Sequence, residues 1–304
     1  MQRHAPGRAG QAEGGRFAAT GLAPLVVYIT SPARSLDLSN GTDSLSKLWR
    51  QNQAFLPEGA RIEYFSNTPD MMSSAKSLSE LLHRAGVTDG AYEAMANLRP
   101  GAYRVDLWKY MVLWANGGVY FDAKMRLLQP LEDTFDLKSS ELQVIKDHAT
   151  KAYWVAAFAS LAPRHPVLAK AIRQVVADVR KHRYFRKHGP EGTLDLTGPR
   201  ALFRAAGLGP GCSGQPGAWT CGVLDPGSVR LVGRLLVLGR GGLKVCKDVR
   251  SDDCSASRFT LGVDESIHHG QHGGSYAQLW DRRQVYCDEP GSPCLEAGGK
   301  ALAL

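Results

Sequence analysis

Residues 104–131 read RVDLWKYMVLWANGGVYFDAKMRLLQPL, and this stretch decides the fold. Leu107, Tyr110, Met111 and Trp114 fall at i, i+3, i+4 and i+7 and make one apolar helical stripe. Arg104, Asp106 and Lys109 precede or flank the stripe, and the spacing does not require their burial. Asn116-Gly117-Gly118 ends the helix, as glycine after the last periodic residue usually does. Val119-Tyr120-Phe121 then reads as a short buried strand running to Asp122-Ala123-Lys124, and Pro130 punctuates the exit. In open α/β sheets ligands collect beyond the carboxyl ends of strands, so a carboxylate at that end suggests an active site.

Working outward, residues 25–30 are apolar and β-branched between Pro24 and Pro32, a first buried strand. Helical spacing covers residues 44–55 and 73–85, with an alternating second strand over 61–65 between them. Residues 91–100 form a lead-in to the central unit. A helix or loop follows Pro130, then a strand at 142–145, a strand or buried helix at 153–160, and an amphipathic helix at 166–180. Thr197-Gly198-Pro199 opens a further helix through Leu208. Alternating βα units of this kind indicate a parallel or mixed sheet wrapped by helices. Beyond residue 209 the chain becomes Gly-rich and strand-like, as at 229–238, and reads as a loop-rich C-terminal lobe of one domain spanning 21–304. Residues 1–20 read as a disordered leader.

The bulk properties bound the function. The 304 residues, 43% apolar and 22% charged, are those of an ordinary soluble globular chain with ample core. The net charge of +8 suits an anionic partner. The basic residues are scattered and not interleaved with aromatics, which argues against a nucleic-acid partner. The longest apolar run, residues 22–29, is too short for a membrane span and carries Pro24. All six cysteines lie after residue 211, in the close pairs Cys212/Cys221, Cys246/Cys254 and Cys287/Cys294. Three local disulfides and an oxidising compartment are expected, against the alternative of six unrelated buried thiols; six cysteines allow 15 connectivities.

The order R-x-D-x-x-[RK]-Y, a Gly-Gly turn, an apolar strand and a D-x-D-like end resembles the sugar-transferring core of glycosyltransferase family 32. The resemblance is clearest over residues 104–131 and weaker over most of 22–280. It implies a nucleotide-sugar-binding α/β/α sandwich of the GT-A type with a Rossmann-like mixed sheet, to which the cysteine pairs add the expectation of a disulfide-stapled C-terminal lobe. The implied reaction is hexose transfer from a UDP- or GDP-sugar to a glycan or protein acceptor with retention of anomeric configuration, by a front-face route that needs no protein nucleophile. Asp147 and Asp264 are the candidate carboxylates for attack, and neither is assigned. The secretory pathway, Golgi lumen or exterior is the implied location, with the cytoplasm as alternative.

By the same resemblance Asp106 and Lys109 would hold the donor sugar, Lys109 standing where the family typically has arginine. Arg104, Gly117, Gly118, Thr197 and Gly198 would line the donor, and Tyr28 is either a base-stacking ring or a core aromatic. Asp122 would meet the ribose or a metal–phosphate group, with His269 or His272 closing a Mn2+ or Mg2+ site. The chain departs from the family in two places. Asp122-Ala123-Lys124 puts a lysine where the second carboxylate belongs, and Ala156 replaces a frequent asparagine. Lys124 is therefore expected to weaken or replace the metal, with Asp122 and Lys124 on one face of an extended chain. The competing reading is a decayed transferase that binds nucleotide-sugar or glycan without turnover.

Overall fold

The computed structural model describes residues 24–33, 35–66, 69–148, 152–185, 194–207, 229–238, 242–247, 254, 259–264, 267 and 276–288. Along them run β1 (Val26–Ser31), α1 (Ser44–Gln53), β2 (Arg61–Ser66), α2 (Pro69–Arg84), α3 (Ala91–Ala96), α4 (Gly101–Asn116), β3 (Gly118–Asp122) and β4 (Met125–Leu127). The chain continues with α5 (Leu131–Thr134), β5 (Leu142–Lys146), β6 (Tyr153–Ser160), α6 (Pro166–Arg180), α7 (Pro199–Ala205), β7 (Val229–Val237), β8 (Leu243–Cys246), β9 (Phe259–Val263) and α8 (Tyr276–Asp281).

The strands form one sheet in the order β2-β1-β3-β6-β5-β7-β8-β9-β4. β1 is parallel to β2 and β3, and β5 to β7, while the other pairs are antiparallel. The expected α/β class with a mixed sheet is what the chain adopts. Val27 and Ile29 enter one apolar cluster and Tyr28 the other, the period-two alternation of a strand covered on both faces. The first cluster lies under α1 and α5, the second under α2, α3, α4, α6 and α7. The strands over 229–263 extend this sheet instead of building a separate layer.

One connection shapes the molecule. Only Ala123 and Lys124 separate β3 from β4, so those strand ends are at most about 11 Å apart along the chain. Yet β4 lies six places from β3 in the sheet, which in a flat sheet would be roughly 29 Å. The sheet must curl until its far edge returns to the end of β3. β4 was not anticipated, because three residues carry no readable period. Residues 91–96 form α3, where only a lead-in was expected, and 153–160 resolve as a strand.

α6 begins at Pro166, whose missing N–H costs nothing at the first helical position, with the His165 side chain capping Val167 N. α4 departs from the single stripe of the sequence reading. Tyr103, Val105 and every residue from Leu107 to Trp114 are buried, because α2, α3, α6, β3 and β6 surround the helix. Lys109, expected on a flank, is only 2% exposed. Cys246 and Cys254 are joined in the expected local disulfide, and Cys287 is also disulfide-bonded. Cys212, Cys221 and Cys294 lie outside the described residues. Among the described residues no helix is long and apolar enough to cross a membrane.

Candidate active site at the carboxyl end of β3

Because α4 leads through a tight turn into β3, the helix runs antiparallel to the strand. Its amino-terminal half therefore lies beside the strand's carboxyl end. That brings Asp106 and Lys109 towards Asp122. Lys109 Nζ lies 2.6 Å from Asp106 Oδ1 and donates to the Val155 carbonyl at 3.0 Å. It also stands over the Tyr120 ring, 5.1 Å from the centroid. Val155 is available because the β5–β6 pairing skips from Phe158 to Trp154, leaving it in a bulge. The other Asp106 oxygen accepts from Thr197 Oγ1 at 3.0 Å. Thr197 and Gly198 are held in turn by Tyr110, whose hydroxyl donates to their carbonyls at 2.8 and 3.2 Å. Burial raises the Tyr110 pKa well above the ordinary phenol value, so it remains a donor.

Asp122 is fixed separately. Tyr120 Oη donates to Asp122 Oδ1 at 2.9 Å and lies 2.8 Å from Thr30 Oγ1, at the end of β1. With the Tyr120 proton on Asp122, Thr30 supplies the second hydrogen bond. Burial keeps the Tyr120 phenol protonated and also raises the Asp122 pKa. The Lys109 ammonium, the Tyr120 hydrogen bond and Lys124 all pull Asp122 back towards ionisation, while Asp106 opposes them. Asp106, Lys109, Asp122 and Lys124 therefore form one electrostatic cluster, and Thr197 and Gly198 join it through Asp106.

The Asp122-Ala123-Lys124 turn is pinned by its backbone. Trp49 Nε1 donates to the Ala123 carbonyl at 2.7 Å, and Asp264 N to the Lys124 carbonyl at 2.8 Å. Asn52 bridges β4, donating to the Met125 carbonyl at 2.8 Å and accepting from Leu127 N at 2.9 Å. Asp264, at the end of β9, pairs its carboxylate with Arg126. Tyr110 enters the sequence reading only as an apolar stripe member and the last residue of the R-x-D-x-x-[RK]-Y order, and Tyr120, Trp49 and Asn52 are given no part in the site there. Tyr120 has a local signal in standing two residues before Asp122 on one strand face, whereas Trp49 and Asn52 have none.

Other expected members lie elsewhere. The Tyr28 ring packs against Phe65 and Trp108, is 2% exposed, and is the core aromatic of the two readings. Gly117 and Gly118 sit at the amino end of β3, about 13 Å of strand from Asp122. They serve packing: a Cβ on Gly117 would fall 2.4 Å from the Leu161 carbonyl oxygen, and one on Gly118 2.6 Å from that of Val26. Arg104 is about 200° around the helix from Asp106 and donates to the Arg99 carbonyl at 3.3 Å. Burial lowers its pKa, and none of its contacts reaches the cluster. His269 and His272 lie outside the described residues.

A divalent cation does not fit the described side chains. Mn2+ or Mg2+ wants several oxygen ligands at short range. Asp106 is taken up by Lys109 and Thr197, and Asp122 stands in the field of two ammonium groups. Among the described residues no three His, Cys, Asp or Glu side chains cluster as a metal site.

Residues 39–173 match the model of the glycosyltransferase sugar-binding region containing the DXD motif. The matched span holds Asp106, Lys109, Asp122 and Lys124 but not Thr197 or Gly198. Among solved structures, PaToxG Glycosyltransferase is 13% identical, with 60% of this chain and 68% of that chain covered and a TM-score of 0.37. A transferase mutant with two cysteine-to-serine substitutions is 10% identical, with 58% of this chain and 90% of that one covered and a TM-score of 0.25. Both likenesses are distant. No curated protein matches the chain. The DXD-type domain and the mixed α/β sheet are consistent with a GT-A-like glycosyltransferase, and that domain supports a transferase activity.

Proposed function

We propose that this chain is a retaining hexosyltransferase of the family 32 type, moving a sugar from a UDP- or GDP-hexose to a glycan or protein hydroxyl. The observation that carries the reading is the convergence of Asp106, Thr197 and Asp122 around Lys109 at the carboxyl end of β3, inside the matched domain for all but Thr197. Carboxylates are natural acceptors for sugar hydroxyls, and Asp106 and Asp122 are the two the cluster offers. Lys109 positions Asp106 by direct contact and draws Asp122 towards ionisation through its charge. Its ammonium is engaged by Asp106 and Val155 and is too buried to meet a ligand without moving. Thr197 orients the second Asp106 oxygen. Retention rests on the family resemblance. The Asp264 carboxylate is paired with Arg126, which supports leaving the front-face route without a protein nucleophile. The disulfides support an oxidising compartment, the secretory lumen or the exterior.

A second reading is favoured by Lys124 and by buried Ala156 in β6: a protein that binds the donor or a glycan without turnover. One experiment separates the two. Donor hydrolysis and binding are measured with UDP- and GDP-hexoses for wild type, Asp106→Asn, Asp122→Asn and the double variant. The transferase reading expects turnover in wild type and a loss of about 100-fold or more in each variant, as when a group acting on the transition state is removed. Unchanged turnover in the double variant refutes the site. Binding without turnover in wild type supports the second reading.

A further inference from the structure

Burial alternates strictly from Phe121 to Leu127. Phe121, Ala123, Met125 and Leu127 point inward, and Asp122, Lys124 and Arg126 share the outward face. On that face Arg126 is neutralised by Asp264 and also donates to Gln51 at 3.1 Å. Lys124 is different. Among the described residues its side chain has neither a hydrogen bond nor an ion pair within 4 Å, although its backbone is clamped through the Asp264 N–H. A half-buried lysine on a fixed turn, close enough to Asp122 to bias it, is a positive charge held ready for an anion.

The charge count points the same way. Asp106 and Asp122 face Lys109 and Lys124, so the cluster is neutral. With an aspartate at 124 it would carry two net negative charges, the amount one divalent cation cancels. Lys124 cancels them without a metal.

On the glycosyl-transfer reading, we propose that Lys124 is a catalytic residue that neutralises the leaving diphosphate, so that the reaction at this site needs no divalent cation. The bond from the anomeric carbon to the diphosphate oxygen breaks, and its electron pair goes to that oxygen. The acceptor hydroxyl oxygen forms the new bond to the same carbon, and its proton leaves with the diphosphate or to solvent. Charge grows on the diphosphate as the first bond breaks, and a pre-placed ammonium is worth most there. A metal bound at Asp122 would instead be repelled by Lys124 and Lys109.

The test uses the full chain, with UDP and GDP as binding probes and the corresponding hexose donors for turnover. Wild type, Lys124→Ala and Lys124→Asp are each measured by calorimetry and by donor hydrolysis, after exhaustive chelation and in added manganese. Wild type should bind and turn over alike in both conditions, within about threefold. Lys124→Ala should lose tenfold or more in affinity and more in turnover. Lys124→Asp should recover only in manganese. Among the described residues the Lys124 side chain has no hydrogen bond or ion pair to lose, so Lys124→Ala should keep the wild-type thermal midpoint without ligand, whereas Lys124→Asp, which adds a carboxylate beside Asp122, should melt lower and regain stability in manganese. A wild type silenced by chelation and restored by manganese refutes the proposal while leaving the transferase reading intact. An alanine variant that binds and turns over like wild type reduces Lys124 to a solvated lysine and refutes it as well. A wild type that binds neither nucleotide and hydrolyses no donor in either condition refutes the transferase reading itself, and this inference with it.

Discussion

Replacing Lys109 by methionine keeps most of the side-chain volume and removes only the ammonium. The stem of Lys109 is buried, so the change opens little cavity, and the consequences are electrostatic. Asp106 loses a partner at 2.6 Å and keeps only the Thr197 hydroxyl, and the Val155 carbonyl loses its donor at 3.0 Å. Removing one member of a buried ion pair costs about 3–5 kcal/mol, because the other charge stays buried. The Asp106 side chain retains 16% exposure and regains some water, which places the expectation near the low end, about 3 kcal/mol. That corresponds to a fall in Tm of roughly 6–12 °C. Asp106→Asn combined with Lys109→Met removes both charges and should recover more than about 1.5 kcal/mol of the summed single losses, a coupling typical of contacting residues. Urea unfolding of the four proteins measures it. A coupling below about 0.5 kcal/mol, the scatter between independent sites, would refute the picture of Lys109 as the electrostatic keystone of the cluster.

Burial raises the Asp122 pKa above the ordinary 3.8, so the folded state holds that proton more tightly than the unfolded chain does. Stability tied to Asp122 is therefore greatest below the unfolded value and falls as pH rises through the folded one. Asp122→Asn should gain on wild type across that window in urea titrations and then run parallel, whereas a pH-independent offset would contradict the assignment. Gly118 has φ +113° and its Cβ position falls against the Val26 carbonyl, so Gly118→Ala should cost about 2–5 kcal/mol. Gly59→Ala, at φ +77° with open space, should cost only about 1–2 kcal/mol, and equal losses would deny the clash. Cys246→Ser opens a loop of sequence separation 8 and should cost about 2.5 kcal/mol under oxidising conditions. No change relative to reduced wild type is the expected control.

What the sequence made legible was local. The helix from Leu107 to Trp114, the glycine turn and β3 could be read because apolar period and punctuation agree, and the ends of α6 follow from Pro166 and an unbroken stripe. The burial of Lys109 could not be read, because it depends on α6 and on a bulge at Val155, both remote in sequence. Gly117 and Gly118 are expected at the donor only through the resemblance, which does not register which end of β3 they occupy; they lie at the end away from Asp122, and the Tyr28 ring leans towards Gly118. The contact of Thr197 with Asp106 spans 91 residues, and only the family resemblance suggested that they belong together.

The curled sheet has a consequence for the protein while it is being made. Leu127 pairs with Leu261, and the Lys124 carbonyl is clamped by the Asp264 amide. A ribosome adding about 5–20 residues per second needs roughly 7–27 s to travel that distance. Throughout that interval Met125–Leu127 has no ladder partner, and the turn beside Asp122 lacks one of its clamps. The nascent chain should therefore carry a helical layer and a half-finished sheet that cannot yet engage its ligand. The β9 segment acts as a late-arriving fastener, and folding chaperones would meet an exposed strand edge until it is synthesised.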